Sequence, residues 1–168
     1  NLRGLQTLRS LFDAGLVLKT EVNLKKVVRE TFQAVLEALQ ETLNQNFFSI
    51  MTRIMELSDD TYLEVYNNGF IEISVDYLSR FDSSVTLSEV FECLACFFKI
   101  VYKRAKSSNF EERITLVGSE LEDVLKSALK SLKDGQRNVC VPALLLVYYV
   151  VVLNAGVVRN TGLIVERP

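Results

Sequence analysis

The chain has 168 residues, of which 49% are hydrophobic and 24% charged, with seven glycines and two prolines. At this length folding hides about 70% of the extended chain's surface, so a sizeable core can form, and disordered, collagen-like and low-complexity classes are excluded. Nineteen basic against twenty-one acidic side chains leave a net charge of −2, and histidine is absent. No bulk field directs the chain to nucleic acid or an anionic membrane, and Ser-His-Asp catalysis, Cys-His catalysis and His-ligated zinc are ruled out.

Leu2 to Phe12 reads as an amphipathic helix. Because the chain opens on Asn1 rather than Met and is helical at once, it is expected to be a segment of a longer protein, with 1–168 forming a single helical domain. Asn23 can cap the next helix, in which Leu24, Val27, Val28, Phe32, Val35, Leu36, Leu39 and Leu43 share one face. Phe47, Ile50, Met51, Ile54 and Met55 give a shorter helix that stops at Ser58-Asp59-Asp60. A brief helix through Tyr62, Leu63 and Tyr66 stops at Asn67-Asn68-Gly69, and Ile71, Val75, Leu78 and Phe81 carry the one after it.

Thr86 with Glu89 forms a capping box ahead of a long helix to Lys106, whose apolar face runs from Leu87 through Phe91, Leu94 and Phe98 to Tyr102. Ser119 with Glu122 makes a second capping box. Leu121, Val124, Leu125, Ala128, Leu129 and Leu132 then fall on one helical face, and Gly135 is the expected left-handed C-cap. From Asn138 to Val158 the chain carries no charge, but Pro142, Asn154 and Gly156 interrupt it and its flanks lack interfacial anchors. A fully buried helix from Val141 to Leu153, with Pro142 in its first turn, is expected rather than a membrane span or a buried strand at 147–152. Since no segment alternates with period two, the fold class is all-α.

Three pairs of a short and a long helix line up: Leu2 to Phe12 with Leu24 to Leu43, Phe70 to Phe81 with Leu87 to Tyr102, and Leu121 to Leu132 with Val141 to Leu153. The stretch Asn68-Gly69-Phe70-Ile71-Glu72-Ile73-Ser74-Val75-Asp76-Tyr77-Leu78 resembles the entry to the third helix of an armadillo repeat. Leu121 to Val139 resembles the later part of such a repeat, and Asn160-Thr161-Gly162-Leu163-Ile164 could open a further one. The resemblance implies armadillo- or HEAT-like stacked helical repeats; an irregular helical bundle is the alternative, given the uneven period.

Cys93-Leu94-Ala95-Cys96 lies two turns inside its helix and has only Cys140 as a further thiol, so it is read as core packing. Three cysteines are a poor disulfide framework and no Asn-x-Ser/Thr sequon occurs, which favours an intracellular setting, cytoplasmic or nuclear. Lys126, Lys130 and Lys133 with Arg137 form a basic stripe, and Lys99, Lys103, Arg104 and Lys106 a second cluster. Glu72 and Asp76, one turn apart, form an acidic counterpart that would give a stacked surface a gradient of sign.

Nothing near these carboxylates supplies a nucleophile, phosphate loop or metal set, so no catalytic residue, cofactor or metal is expected. The expected role is a non-catalytic scaffold for a protein or peptide partner, contacted through Glu72, Asp76, Ser79, Lys126, Lys130 and Lys133. Self-association as a structural module is the alternative. Nucleic-acid binding ranks last, because the basic clusters lack interleaved aromatics.

Overall fold

Two glycines take the positive φ that the helix-stop signals require: Gly69 at +89° and Gly135 at +68°. Each follows a helix whose last turn closes onto it, Gly69 N–H donating to Tyr66 O at 3.0 Å and Gly135 N–H to Leu132 O at 3.3 Å. The computed structural model describes residues 2–13, 21–38, 45–81, 84–106, 114–154 and 163–166. Among them are α1 (Leu2–Asp13), α2 (Glu21–Ala38), α3 (Gln45–Leu57), a 3-10 turn (Asp59–Thr61), α4 (Tyr62–Asn67), α5 (Phe70–Arg80) and α6 (Ser84–Ala105). Strand β1 (Ile114–Val117), α7 (Gly118–Asp134), α8 (Arg137–Asn154) and strand β2 (Leu163–Glu166) complete the order. The chain divides into two compact units, Asn1–Ile73 and Ser74–Pro168, with the boundary inside α5.

In the first unit α3 is the centre, and Phe47, Phe48, Ile50, Met51, Ile54 and Met55 are all fully buried. Phe32 of α2 meets Phe47 edge to face, with ring centroids 4.9 Å apart. This geometry sets the positive ring edge against the negative face. Polar groups tie the elements at their margins: Arg9 Nη1 donates to Asn46 Oδ1 at 2.7 Å, and Arg29 pairs with Glu64 at 3.2 Å. Buried hydroxyls turn to backbone carbonyls, Thr52 to Phe48 O at 2.9 Å and Thr61 to Ser58 O at 2.7 Å, so none of these costs an unmade bond.

The second unit is built on α6, where Val90, Phe91, Cys93, Leu94, Phe97, Phe98 and Val101 are fully buried. The most extensive helix contact joins α6 to α8, with α7 packing on α8 next. Ser88, early in α6, bonds Asn138 at the start of α8, and Tyr102, late in α6, meets Tyr149 with centroids 6.1 Å apart. The two long helices therefore run parallel, while the Gly135 turn folds α7 back on α8. The Ser88 contact has a specific cause. Pro142 lies inside α8 and has no N–H to give the carbonyl of Asn138, four residues earlier. Ser88 Oγ donates to that carbonyl at 3.0 Å instead.

Several expectations need correction. Pro142 is the sixth residue of α8 rather than a first-turn residue, because the helix begins at Arg137. Thr86 and Ser119 lie within the first turns of α6 and α7, not ahead of them; Thr86 hydrogen-bonds Tyr77. The helix α8 is not fully buried: Val139, Ala143, Leu146, Val150 and Leu153 face inward, but Val141, Leu144, Leu145, Tyr148 and Val151 are exposed. Leu36 and Leu129, both placed on apolar faces, are each 54% exposed. Helical character dominates as expected, yet β1 and β2 add a short parallel pair, Ile114 opposite Leu163 through Val117 opposite Glu166. Leu163 and Ile164 are strand residues, while Asn160, Thr161 and Gly162 lie outside the described residues. Leu39 and Leu43 lie outside the described residues.

Candidate functional site

A cleft of about 180 Å³ opens where the end of α5, the start of α6 and one face of α7 meet. Leu78, Phe81 and Leu87 form its apolar part, and Ser127, Lys130, Ser131, Asp134 and Gln136 its polar part. The four α7 residues are offset by 0, 3, 4 and 7, which is one face of a helix. Behind the cleft, the Phe81 ring lies against Tyr77 at 4.6 Å between centroids, tilted by 34°. Tyr77 is itself 1% exposed and hydrogen-bonded to the Thr86 side chain. Burial pushes its phenol above the usual tyrosine range, only partly offset by the Thr86 bond, and the charge of Glu89 adds to the rise. Tyr77 therefore stays neutral and fixes one wall of the cleft.

Only one of the six sequence-derived contact residues lines this cleft. Lys130 does, in company with Asp134 one turn on in α7 and without the carboxylates of α5. Asp76 is engaged on its own helix, its Oδ1 accepting from Arg80 Nε at 3.0 Å and Nη2 at 2.9 Å. Ser79 Oγ donates to Asp76 O at 2.6 Å, again within α5. Glu72 is exposed in the first turn of α5, where a carboxylate complements the positive end of the helix dipole.

Lys126 pairs with Glu122 at 2.8 Å on the exposed side of α7. The hydrogen bond and charge of Lys126 hold the Glu122 carboxyl below the usual range and raise Lys126 in return. Lys133 is exposed in the last turn, where the dipole favours a cation. In the second basic cluster Lys106 Nζ sits 4.2 Å from the centroid of Tyr102, a cation–π contact.

The cysteines follow the packing reading: Cys93 is buried and Cys96 half-buried on α6, Cys140 is half-buried on α8, and none is joined in a disulfide. Among the described residues no three Cys, Asp or Glu side chains gather as a metal site. No helix among them is long and apolar enough to cross a membrane.

Sequence reasoning missed the cleft-facing residues Ser127, Ser131 and Asp134, because it followed the lysines and not the face between them. It also missed the outer face of α8, whose signal was present in the spacing of Val141, Leu144, Leu145, Tyr148 and Val151. No protein family, curated protein or solved structure matches this chain.

Proposed function

We propose that this chain is a non-catalytic protein-interaction module that seats a peptide or helix of a partner protein in the cleft between α5, α6 and α7. The observation that carries the reading is the cleft's make-up, in which apolar Leu78, Phe81 and Leu87 share the lining with the cation of Lys130. A volume of about 180 Å³ is below the roughly 300–1,000 Å³ of metabolite and drug pockets. It suits one apolar side chain of a peptide, whose neighbouring carboxylate meets Lys130. That division of labour, an apolar anchor with a polar group fixing register, is how helical grooves read peptides.

A non-catalytic role is supported by the lack of any histidine, the commonest general base. An intracellular setting, cytoplasmic or nuclear, belongs to the same reading and draws support from three cysteines that form no disulfide. The reading includes an armadillo- or HEAT-like construction. Its support is the parallel packing of α6 on α8, the long members of successive helix pairs, with α7 and α8 as a hairpin.

Selection of a displayed library of random short peptides against the chain tests the reading. Enriched peptides should carry one large apolar residue with an acidic neighbour, and Lys130→Glu should weaken them by about 10-fold or more, as for a lost charge-assisted contact. Enriched peptides that bind Lys130→Glu and Phe81→Ala as well as the wild type would overturn it.

A further inference from the structure

On α8 the exposed residues Val141, Leu144, Tyr148 and Val151 are spaced three, four and three apart, with Leu145 beside them. That spacing sets them on one side of the helix in the pattern by which two helices interlock knobs into holes. The core-facing stripe is a separate one, Val139, Ala143, Leu146, Val150 and Leu153, already packed within the unit. The outer seam is thus surplus to the fold. With exposures of 45% to 66% and side chains that each bury on the order of 100–200 Å² when covered, its five residues present roughly 500 Å² of apolar surface.

We propose that this seam pairs with the same seam of a second copy, the two α8 helices antiparallel about a two-fold axis near position 146. Three features favour a second copy over a different partner. The seam is symmetric in sequence about that position: Val141 mirrors Val151 and Leu144 mirrors Tyr148, so an isologous contact brings valine to valine and leucine to tyrosine. No charged residue lies between Asn138 and Asn154, so self-pairing sets no like charges together, and no charge selects a foreign partner. The area is also appropriate. A standard interface covers about 800 Å² per partner, about 65% apolar in homodimers, which is close to the roughly 500 Å² on offer. The inference is independent of the cleft and uses none of its residues.

Sedimentation of the whole chain tests it. The expected mass is twice 19.1 kDa at about 100 µM, a concentration that detects even a micromolar dimer. Leu144→Glu and Tyr148→Glu, at positions 60% and 53% exposed, should each return a monomer with unchanged circular dichroism, weakening association by about 100-fold or more. Because the residues are exposed, folding does not depend on them. An equimolar mixture of Val141→Cys and Val151→Cys chains should give a 141–151 inter-chain disulfide on mild oxidation, identified by peptide mass spectrometry. A wild-type chain that stays at 19.1 kDa, a dimer indifferent to both glutamates, or cross-links dominated by 141–141 would each overturn the proposal.

Discussion

Replacing Ser88 by alanine removes the hydroxyl that serves the Asn138 carbonyl, and the consequence depends on Pro142. With proline at 142 the carbonyl lacks its donor four residues on, so the 3.0 Å bond from Ser88 takes the place of that helical bond. The contact is exposed and water competes for it, which puts the loss in the Ser88→Ala chain at about 0.5–1 kcal/mol. For a chain of this size that is a fall in Tm of about 1–4 °C. Pro142→Ala restores an N–H at 142. It should stabilise α8, since interior proline is unfavourable by up to about 3 kcal/mol, less the roughly 1 kcal/mol that proline contributes by restricting the unfolded chain. In the Pro142→Ala background the carbonyl has its own helical donor, and Ser88→Ala should cost close to nothing. Urea unfolding of the four chains gives the coupling energy directly, with an expected value of about 0.5–1 kcal/mol. Equal costs of Ser88→Ala in the two backgrounds, within about 0.3 kcal/mol, would refute the account.

Other substitutions probe separate parts of the second unit. At Gly135 a Cβ would meet no atom within 4 Å, so Gly135→Ala should cost about 1 kcal/mol through its φ of +68° alone, and Gly135→Asn distinctly less, by urea unfolding. Tyr77 has a folded-state pKa above 10.0, so its contribution is complete below about pH 10 and is lost as pH rises through the folded value. Stability followed from pH 9 upward should therefore fall less steeply in Tyr77→Phe than in the wild type. On α7, Leu129→Lys should change stability by less than about 0.5 kcal/mol, whereas Ala128→Leu, one residue earlier but fully buried, should cost about 1–3 kcal/mol by overpacking. A reversed order at 128 and 129 in thermal unfolding would contradict the rotational setting of α7.

Helix existence and punctuation were legible because they depend on local chemistry. Gly69 and Gly135 stand where only a residue tolerant of positive φ can end a helix, and the structure has both there. The stop after Leu57 and the restart at Tyr62 follow from a Ser-Asp-Asp cluster in the same way. What local chemistry does not settle is which side chains a helix shares with its neighbours. Thr86 carries every local mark of an N-cap, but its hydroxyl has a tertiary use with Tyr77, and α6 begins two residues earlier. The lysine stripe misled for a related reason. Lys126, Lys130 and Lys133 look equivalent on a helical wheel, yet an i,i+4 carboxylate engages the first and only the second reaches the cleft. The parallel pairing of β1 with β2 joins segments far apart in sequence, a register that no local pattern announces.

The most consequential misreading concerns α8, and its cause is general. A helix apolar on every side gives a periodicity analysis nothing to orient it, so uniform hydrophobicity is read as complete burial. The same composition arises when two different faces are apolar for two different reasons. In α8 these separate by spacing: the inward residues Val139, Ala143, Leu146, Val150 and Leu153 follow a four-three-four-three course on one side, and Val141, Leu144, Tyr148 and Val151 a three-four-three course on the other. Two such stripes fill a helix with apolar residues and leave little room for charge, which is why no charged residue occurs from Asn138 to Asn154. An uncharged helix of this length with no membrane span is thus better explained by two protein neighbours than by one. The first neighbour is α6 with α7, and the second is what the inference of a paired copy supplies.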